Sequence, residues 1–373
     1  MRSGITRPAG DVRAVTFAGV ELVAADGGVR VISWDQVARV EGPHAKEAAE
    51  LDEVATLAWR ARVRMERGDI SGAEQLFEQL FVKYRGQSGA TAGVVASGLL
   101  RCRLSRQAQN AAVEAWLALL ATGESETLFD RAKPDDDLRA VPIVDATTGL
   151  APQLPPIWIK GPALQVVLSA IAPASDVAPM DRAGKLAQLY RVSALDEVQQ
   201  SSGTTTQSQP LPAKTMGEPG LELVWDVVAA RCGDDSQRAE AMKSLEARIE
   251  SADTPAWVQA WSRFSLGRAM MAQGKATGNN DQQSLGMVHM LHVPSRFASI
   301  SPYLAGLALA EVASALAEDG DIEGAGRVRR AFLEQYPAHP AQAILPVIKS
   351  APKPVAPVTT PPPAAAAPKG GGS

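Results

Sequence analysis

Cysteine is scarce: Cys102 and Cys232 are the only two in 373 residues. They lie far apart, each within an apolar stretch of helical period, so neither a disulfide framework nor a thiolate metal cage has a basis. Aromatic residues make up 5% of the chain against 46% hydrophobic residues overall. A core of that kind is built from Ala, Leu and Val, which suits packed helices better than an aromatic-rich β-sandwich. Positive charge is not in excess, with 37 Lys and Arg against 41 Asp and Glu and a formal net charge of -4. Nucleic acid is therefore not expected as a partner, since covering phosphates requires a basic surplus. No run reaches the ~18 uninterrupted apolar residues of a membrane-spanning helix. Met1 to Gly10 holds Arg2, Arg7 and Pro8 but no apolar run, so no export signal is read there. The cytoplasm is the default expectation, with an exported or periplasmic location left open. Gly86-Gln87-Ser88-Gly89 lacks the lysine of a phosphate loop, and no Gly-x-Ser-x-Gly elbow occurs. Without a catalytic constellation, neither enzymatic activity nor a cofactor is expected.

What is present changes period along the chain. After a flexible N-terminus (1–10), residues 11–44 read as a small β-meander. Val12 to Phe17, Val20 to Ala24 and Val29 to Trp34 carry β-favouring residues, and Asp26-Gly27-Gly28 supplies a hairpin turn. A sheet this small needs its apolar face covered by the following helices or by another chain. From 45 to 132 the period is helical. Val54, Leu57, Ala58, Ala61 and Met65 share one face and Leu76, Phe77, Leu80 and Phe81 another, with Gly68-Asp69 between them. A second pair is read around Val95, Leu99 and Cys102, then Val113, Trp116, Leu117 and Leu120. Residues 133–200 read as a proline-rich connector on the surface, anchored at Ile157-Trp158-Ile159, plus one helix from Asp181 to Gln200. A flexible linker (201–218), C-terminal helical hairpins (219–350) and a disordered Pro/Ala-rich tail (351–373) complete the reading.

Two segments share a turn. Arg67-Gly68-Asp69-Ile70-Ser71-Gly72-Ala73 precedes Phe77 and Leu80, and Asp319-Gly320-Asp321-Ile322-Glu323-Gly324-Ala325 precedes Phe332 and Pro337. In each, the first glycine can take a left-handed helix end and the aspartate can cap the next helix. Both segments resemble the tetratricopeptide repeat, a helix-turn-helix unit of about 34 residues. The matching positions are Gly68, Asp69 and Ala73 in one copy and Gly320, Asp321, Ala325 and Pro337 in the other. Leu266-Gly267, Met270 and Gly274 resemble the first helix of a further copy, followed by an atypical polar insertion from Lys275 to Asp281. The resemblance implies a mostly α fold of antiparallel hairpins stacked as an α-solenoid, which would present a concave surface to a protein partner.

Side chains that could carry chemistry are few. His289 and His292 stand three apart, a spacing that can bind a metal, but no third ligand is evident and Pro294 is read as ending the segment. Asp135-Asp136-Asp137 lacks the glycine and distal glutamate of a calcium loop. His44 and His339 sit beside prolines at element ends and read as caps or surface groups, and Trp257 with Trp261 reads as core. Arg60, Arg64 and Arg67 share a helical face that could receive an acidic peptide. The expected function is that of a non-enzymatic interaction or scaffold protein. The alternative is an accessory or substrate-binding subunit of an enzyme or envelope complex.

Overall fold

Alternation of Val, Leu and Thr with polar residues over the first part of the chain produces a three-stranded antiparallel sheet. β1 (Asp11–Thr16), β2 (Gly19–Val23) and β3 (Val29–Ile32) lie in sequence order. Val15 is opposite Val20 and Val20 is opposite Ile32, with a bulge between Val12 and Ala14. Gly27 (φ 82°) makes the second turn, and the Asp26 carboxylate accepts from the Gly28 N–H at 2.9 Å. A 3-10 turn, Trp34–Gln36, closes the unit. Trp34 is turned inward, its indole N–H donating to the Thr16 carbonyl at 3.0 Å. This computed structural model describes residues 10–123, 143–161, 163–171, 181–202 and 210–348.

Thirteen α-helices follow among the described residues, so the chain is mostly α. They are α1 (Ala45–Ala49), α2 (Asp52–Glu66), α3 (Ile70–Tyr84), α4 (Ala90–Ser105), α5 (Gln109–Thr122), α6 (Leu164–Ala170) and α7 (Arg182–Ser202). Then come α8 (Pro219–Cys232), α9 (Asp235–Glu250), α10 (Ala256–Thr277), α11 (Asn280–Arg296), α12 (Pro302–Glu318) and α13 (Ile322–Gln335). From α2 to α13, wherever the chain is described, each helix packs on the next, and α2 on α4, α8 on α10 and α10 on α12 add second-neighbour contacts. The sheet is covered by these helices: Val20, Leu22 and Trp34 are buried, the Tyr84 hydroxyl donates to the Phe17 carbonyl at 2.9 Å, and the Trp34 N–H donates to Thr91 Oγ1 at 3.0 Å.

Four inter-helix turns share one geometry. Gly68, Gln107, Gly278 and Gly320 all have φ between 59° and 87°. In each turn the next residue's N–H reaches back five positions, from Asp69 to Arg64, Ala108 to Arg103, Asn279 to Gly274 and Asp321 to Leu316, at 2.8–2.9 Å. These bonds satisfy helix-end carbonyls and stop the first helix. The Asp69 and Asp321 carboxylates then accept from the Gly72 and Gly324 N–H groups at 3.0 and 2.8 Å, starting the second. Gln107, the non-glycine member, adopts this backbone without any turn signal in its sequence.

Two sequence expectations change here. The stretch from Lys275 to Asp281 is not an insertion: α10 continues to Thr277, Gly278 turns the chain, and Asn279 caps α11 by accepting from the Gln282 N–H at 3.1 Å. Pro294 does not end its segment, because α11 runs on to Arg296. A proline in the last turn denies one carbonyl its partner without blocking two further helical residues. Of the expected linker, 203–209 lie outside the described residues. Residues 210–215 form no regular element and are held, with the Trp225 indole donating to the Pro212 carbonyl at 2.9 Å and Lys214 2.7 Å from the buried Asp226. Asp135 to Asp137, the tail 351–373 and all but Gly10 of the N-terminal stretch also lie outside the described residues.

Candidate peptide groove

The proline-dense segment expected on the surface is instead buried. Leu150, Ala151, Leu154, Ile157 and Trp158 are at most 4% exposed, in an irregular strap that turns at residues 151–154. Burial of irregular backbone is tolerable only if its polar groups are satisfied. Proline halves that demand, because Pro152, Pro155 and Pro156 bring no N–H to be paired. The surrounding helices supply donors to several of the strap's carbonyls.

Those donors come from four helices. The Trp116 indole of α5 reaches the Gly149 carbonyl at 3.4 Å, and the Trp261 indole of α10 donates to Pro152 at 2.9 Å. On α7, the Tyr190 hydroxyl donates to Leu154 at 2.5 Å, and the Ser193 hydroxyl to Pro156 at 2.6 Å. The Tyr303 hydroxyl of α12 donates to Ile157 at 3.0 Å. Within the strap, the Leu154 and Ile157 N–H groups bond to Ala151 and Pro155, each at 2.8 Å. The side chains of the strap add shape to this polar grip. Trp158 lies edge-on to Tyr190 at 5.9 Å, and Tyr190 packs on Trp116 at 4.7 Å.

A buried charge cluster lies beside Tyr303. Arg268 Nη2 is 3.1 Å from both Glu197 and Glu311, joining α7, α10 and α12, and Arg231 Nη2 is 3.6 Å from Glu197. Burial pushes the Glu311 carboxyl above its ordinary range against the opposing pull of Arg268. Burial likewise raises Asp196, and the Cys232 thiol lies well above its usual value for the same reason. Removing one member would leave the others charged and uncompensated in low dielectric. The cluster reads as a fastening between helices, since no reactive group in it is exposed and uncommitted.

The arginines singled out in the sequence lie along α2 and its C-terminal cap. Arg60 is exposed on α2, Arg67 is exposed just after its end, and Arg64 Nη1 is 3.5 Å from Asp69. Arg62, between them, turns inward, with Nη1 2.7 Å from Asp35 and Nε 2.8 Å from Glu66. Gly68 and Gly320 form the turns and Asp69 and Asp321 the caps described above. Ala73 and Ala325 are fully buried, and Pro337 follows the end of α13. Trp257 and Trp261 are buried 5.1 Å apart, edge to face. His44 stands before α1 with Nδ1 2.9 Å from Glu47, and His339 is a buried cap.

No family model, curated protein or solved structure matches the chain.

The sequence reading missed the gripping residues Trp116, Tyr190, Ser193, Trp261 and Tyr303. A signal for them did exist. The chain has only seven Trp and four Tyr, and four of these supply donors to one proline-rich segment.

Proposed function

We propose that the chain is a non-enzymatic interaction protein of tetratricopeptide-like design, whose helical array binds an extended segment of a protein partner. The observation that carries this reading is the strap: side chains from four helices donate to the carbonyls of an irregular proline-rich stretch. Recognition through backbone carbonyls and apolar pockets is the general way a protein holds an extended peptide, and proline-rich segments lose little entropy on being held. In the described state the chain's own strap fills that groove, so a partner segment gains access by exchanging with it.

The test is binding in trans. A labelled synthetic peptide spanning residues 148–160 is titrated into the full chain carrying Leu154→Ala and Trp158→Ala, whose strap is weakened. Saturable binding is expected, with affinity falling about tenfold on adding Tyr190→Phe and Ser193→Ala, because two donors to buried carbonyls are lost. Circular dichroism verifies that the variants stay helical. If the helical variant takes up no peptide, or the gripping residues make no difference, the groove is not a peptide site and the proposal fails.

A further inference from the structure

The histidine pair of α11 lies in surroundings that favour an anion over a metal. His289, His292 and Arg296 are three and four residues apart and share one face of the helix. α10 and α11 run antiparallel in close contact. A Cβ on Gly267 would lie 2.6 Å from the Gly286 carbonyl and 3.1 Å from the His289 Cβ, and one on Gly274 would lie 2.7 Å from the Gln283 nitrogen. Arg263 is one turn before Gly267, which sets it against the turn of α11 from His289 to Val293. Two histidines and two arginines therefore gather on one seam.

Their electrostatics bear out the crowding. After burial, the largest influences lowering His289 are Arg263 and His292, and those lowering His292 are Arg263 and Arg296. Arg263 is in turn held down by burial and by Arg296. Glu246 of α9, an exposed residue, is the one carboxylate acting on His289. Among the described residues, none of the four side chains forms an ion pair or hydrogen bond. His289 Nδ1, His292 Nδ1 and Arg263 Nε are enclosed without a partner. The outward Nε2 atoms and the guanidinium ends are thus what the seam offers to a ligand. A cation would meet two arginines there, and no group of three His, Cys, Asp or Glu gathers among the described residues. A doubly charged oxyanion, with oxygens enough for several donors, fits the same set.

We infer that the α10–α11 seam is a phosphate-binding site formed by Arg263, Arg296, His289 and His292. The inference is independent of the strap and its groove. Protonated imidazoles bind an anion more strongly, and a bound phosphate in turn favours the charged rings.

The experiment is an NMR titration of the full chain with inorganic phosphate, following the two imidazoles, with chloride at matched ionic strength as control. A parallel titration uses O-phosphoserine. Phosphate, and not chloride, is expected to raise the pH at which both rings titrate. Arg263→Gln with Arg296→Gln should weaken binding about tenfold or more with the helical spectrum unchanged. Tighter binding of O-phosphoserine assigns the site to an esterified phosphate, and tighter binding of inorganic phosphate to the free ion. Equal effects of phosphate and chloride, undiminished binding by the double variant, or a response of both rings to Zn²⁺ without one to phosphate would overturn the assignment.

Discussion

At the scale of the residue, His339 shows how burial fixes a protonation state. It is 1% exposed, its Nε2 lies 2.9 Å from the Tyr303 carbonyl, and its Nδ1 accepts from the Ala341 N–H at 3.0 Å. Nε2 therefore carries the proton of a neutral ring. Gly306 leaves room for it, since a Cβ there would lie 2.7 Å from the imidazole. Burial brings the pKa down to about 4 from the model-compound value of 6.5. Because the folded-state pKa is depressed, the unfolded chain binds the extra proton first as the pH falls. The histidine's contribution is complete above pH 6.5 and is lost progressively as pH falls through about 4. In free energy that is roughly 3 kcal/mol across the window. His339→Gln, which cannot take the proton, should be less stable at pH 7 but flatter between pH 7 and 4. Urea unfolding of both proteins at several pH values reads the difference, and parallel pH profiles would refute the assignment.

At the scale of the element, the α12–α13 hairpin depends on one small side chain. Ala325 is fully buried just after the Asp321 cap, whereas Glu323 is exposed and pairs with Arg327 one turn on. Ala325→Leu should overpack the helix contact and cost about 1–3 kcal/mol. Glu323→Ala forfeits only an exposed ion pair and should stay within about 0.5 kcal/mol. Denaturant unfolding of the full chain measures both. A silent Ala325→Leu beside a costly Glu323→Ala would mean that the faces of α13 are wrongly assigned.

At the scale of the whole molecule, the strap ties early helices to late ones. Trp116 of α5 and Trp261 of α10 bond to the same short segment at Gly149 and Pro152, and Arg268 joins α7 to α12 through Glu197 and Glu311. A stack of hairpins in contact only with neighbours could unfold piecemeal, but these long-range bonds couple its parts. Trp116→Phe and Trp261→Phe should therefore lower one and the same transition by about 1–3 kcal/mol each. Tryptophan fluorescence and circular dichroism should trace coincident curves. Two separate transitions, each sensitive to only one substitution, would show that the strap does not couple them.

Much of the local structure is determined by the sequence alone. The change from strand to helix period, the turns at Gly68 and Gly320 and the caps at Asp69 and Asp321 follow from backbone preferences and hydrogen-bond needs within a few residues. The burial of Ala325 and the exposure of Glu323 follow from helical spacing in the same way. Only the tertiary structure decides what depends on distant partners. Gln107 takes a left-handed turn because the helices on either side pack, not because glutamine favours it. Arg62 and Arg60 look alike in sequence, and Asp35 draws only the first inward. The proline-rich segment reads as surface by composition, because its own N–H groups reach only the Ala151 and Pro155 carbonyls and leave the others to outside donors. It is buried because Trp116, Tyr190, Ser193, Trp261 and Tyr303, up to 146 residues away, bring donors to it. Those donors come from α5, α7, α10 and α12, which only folding brings together.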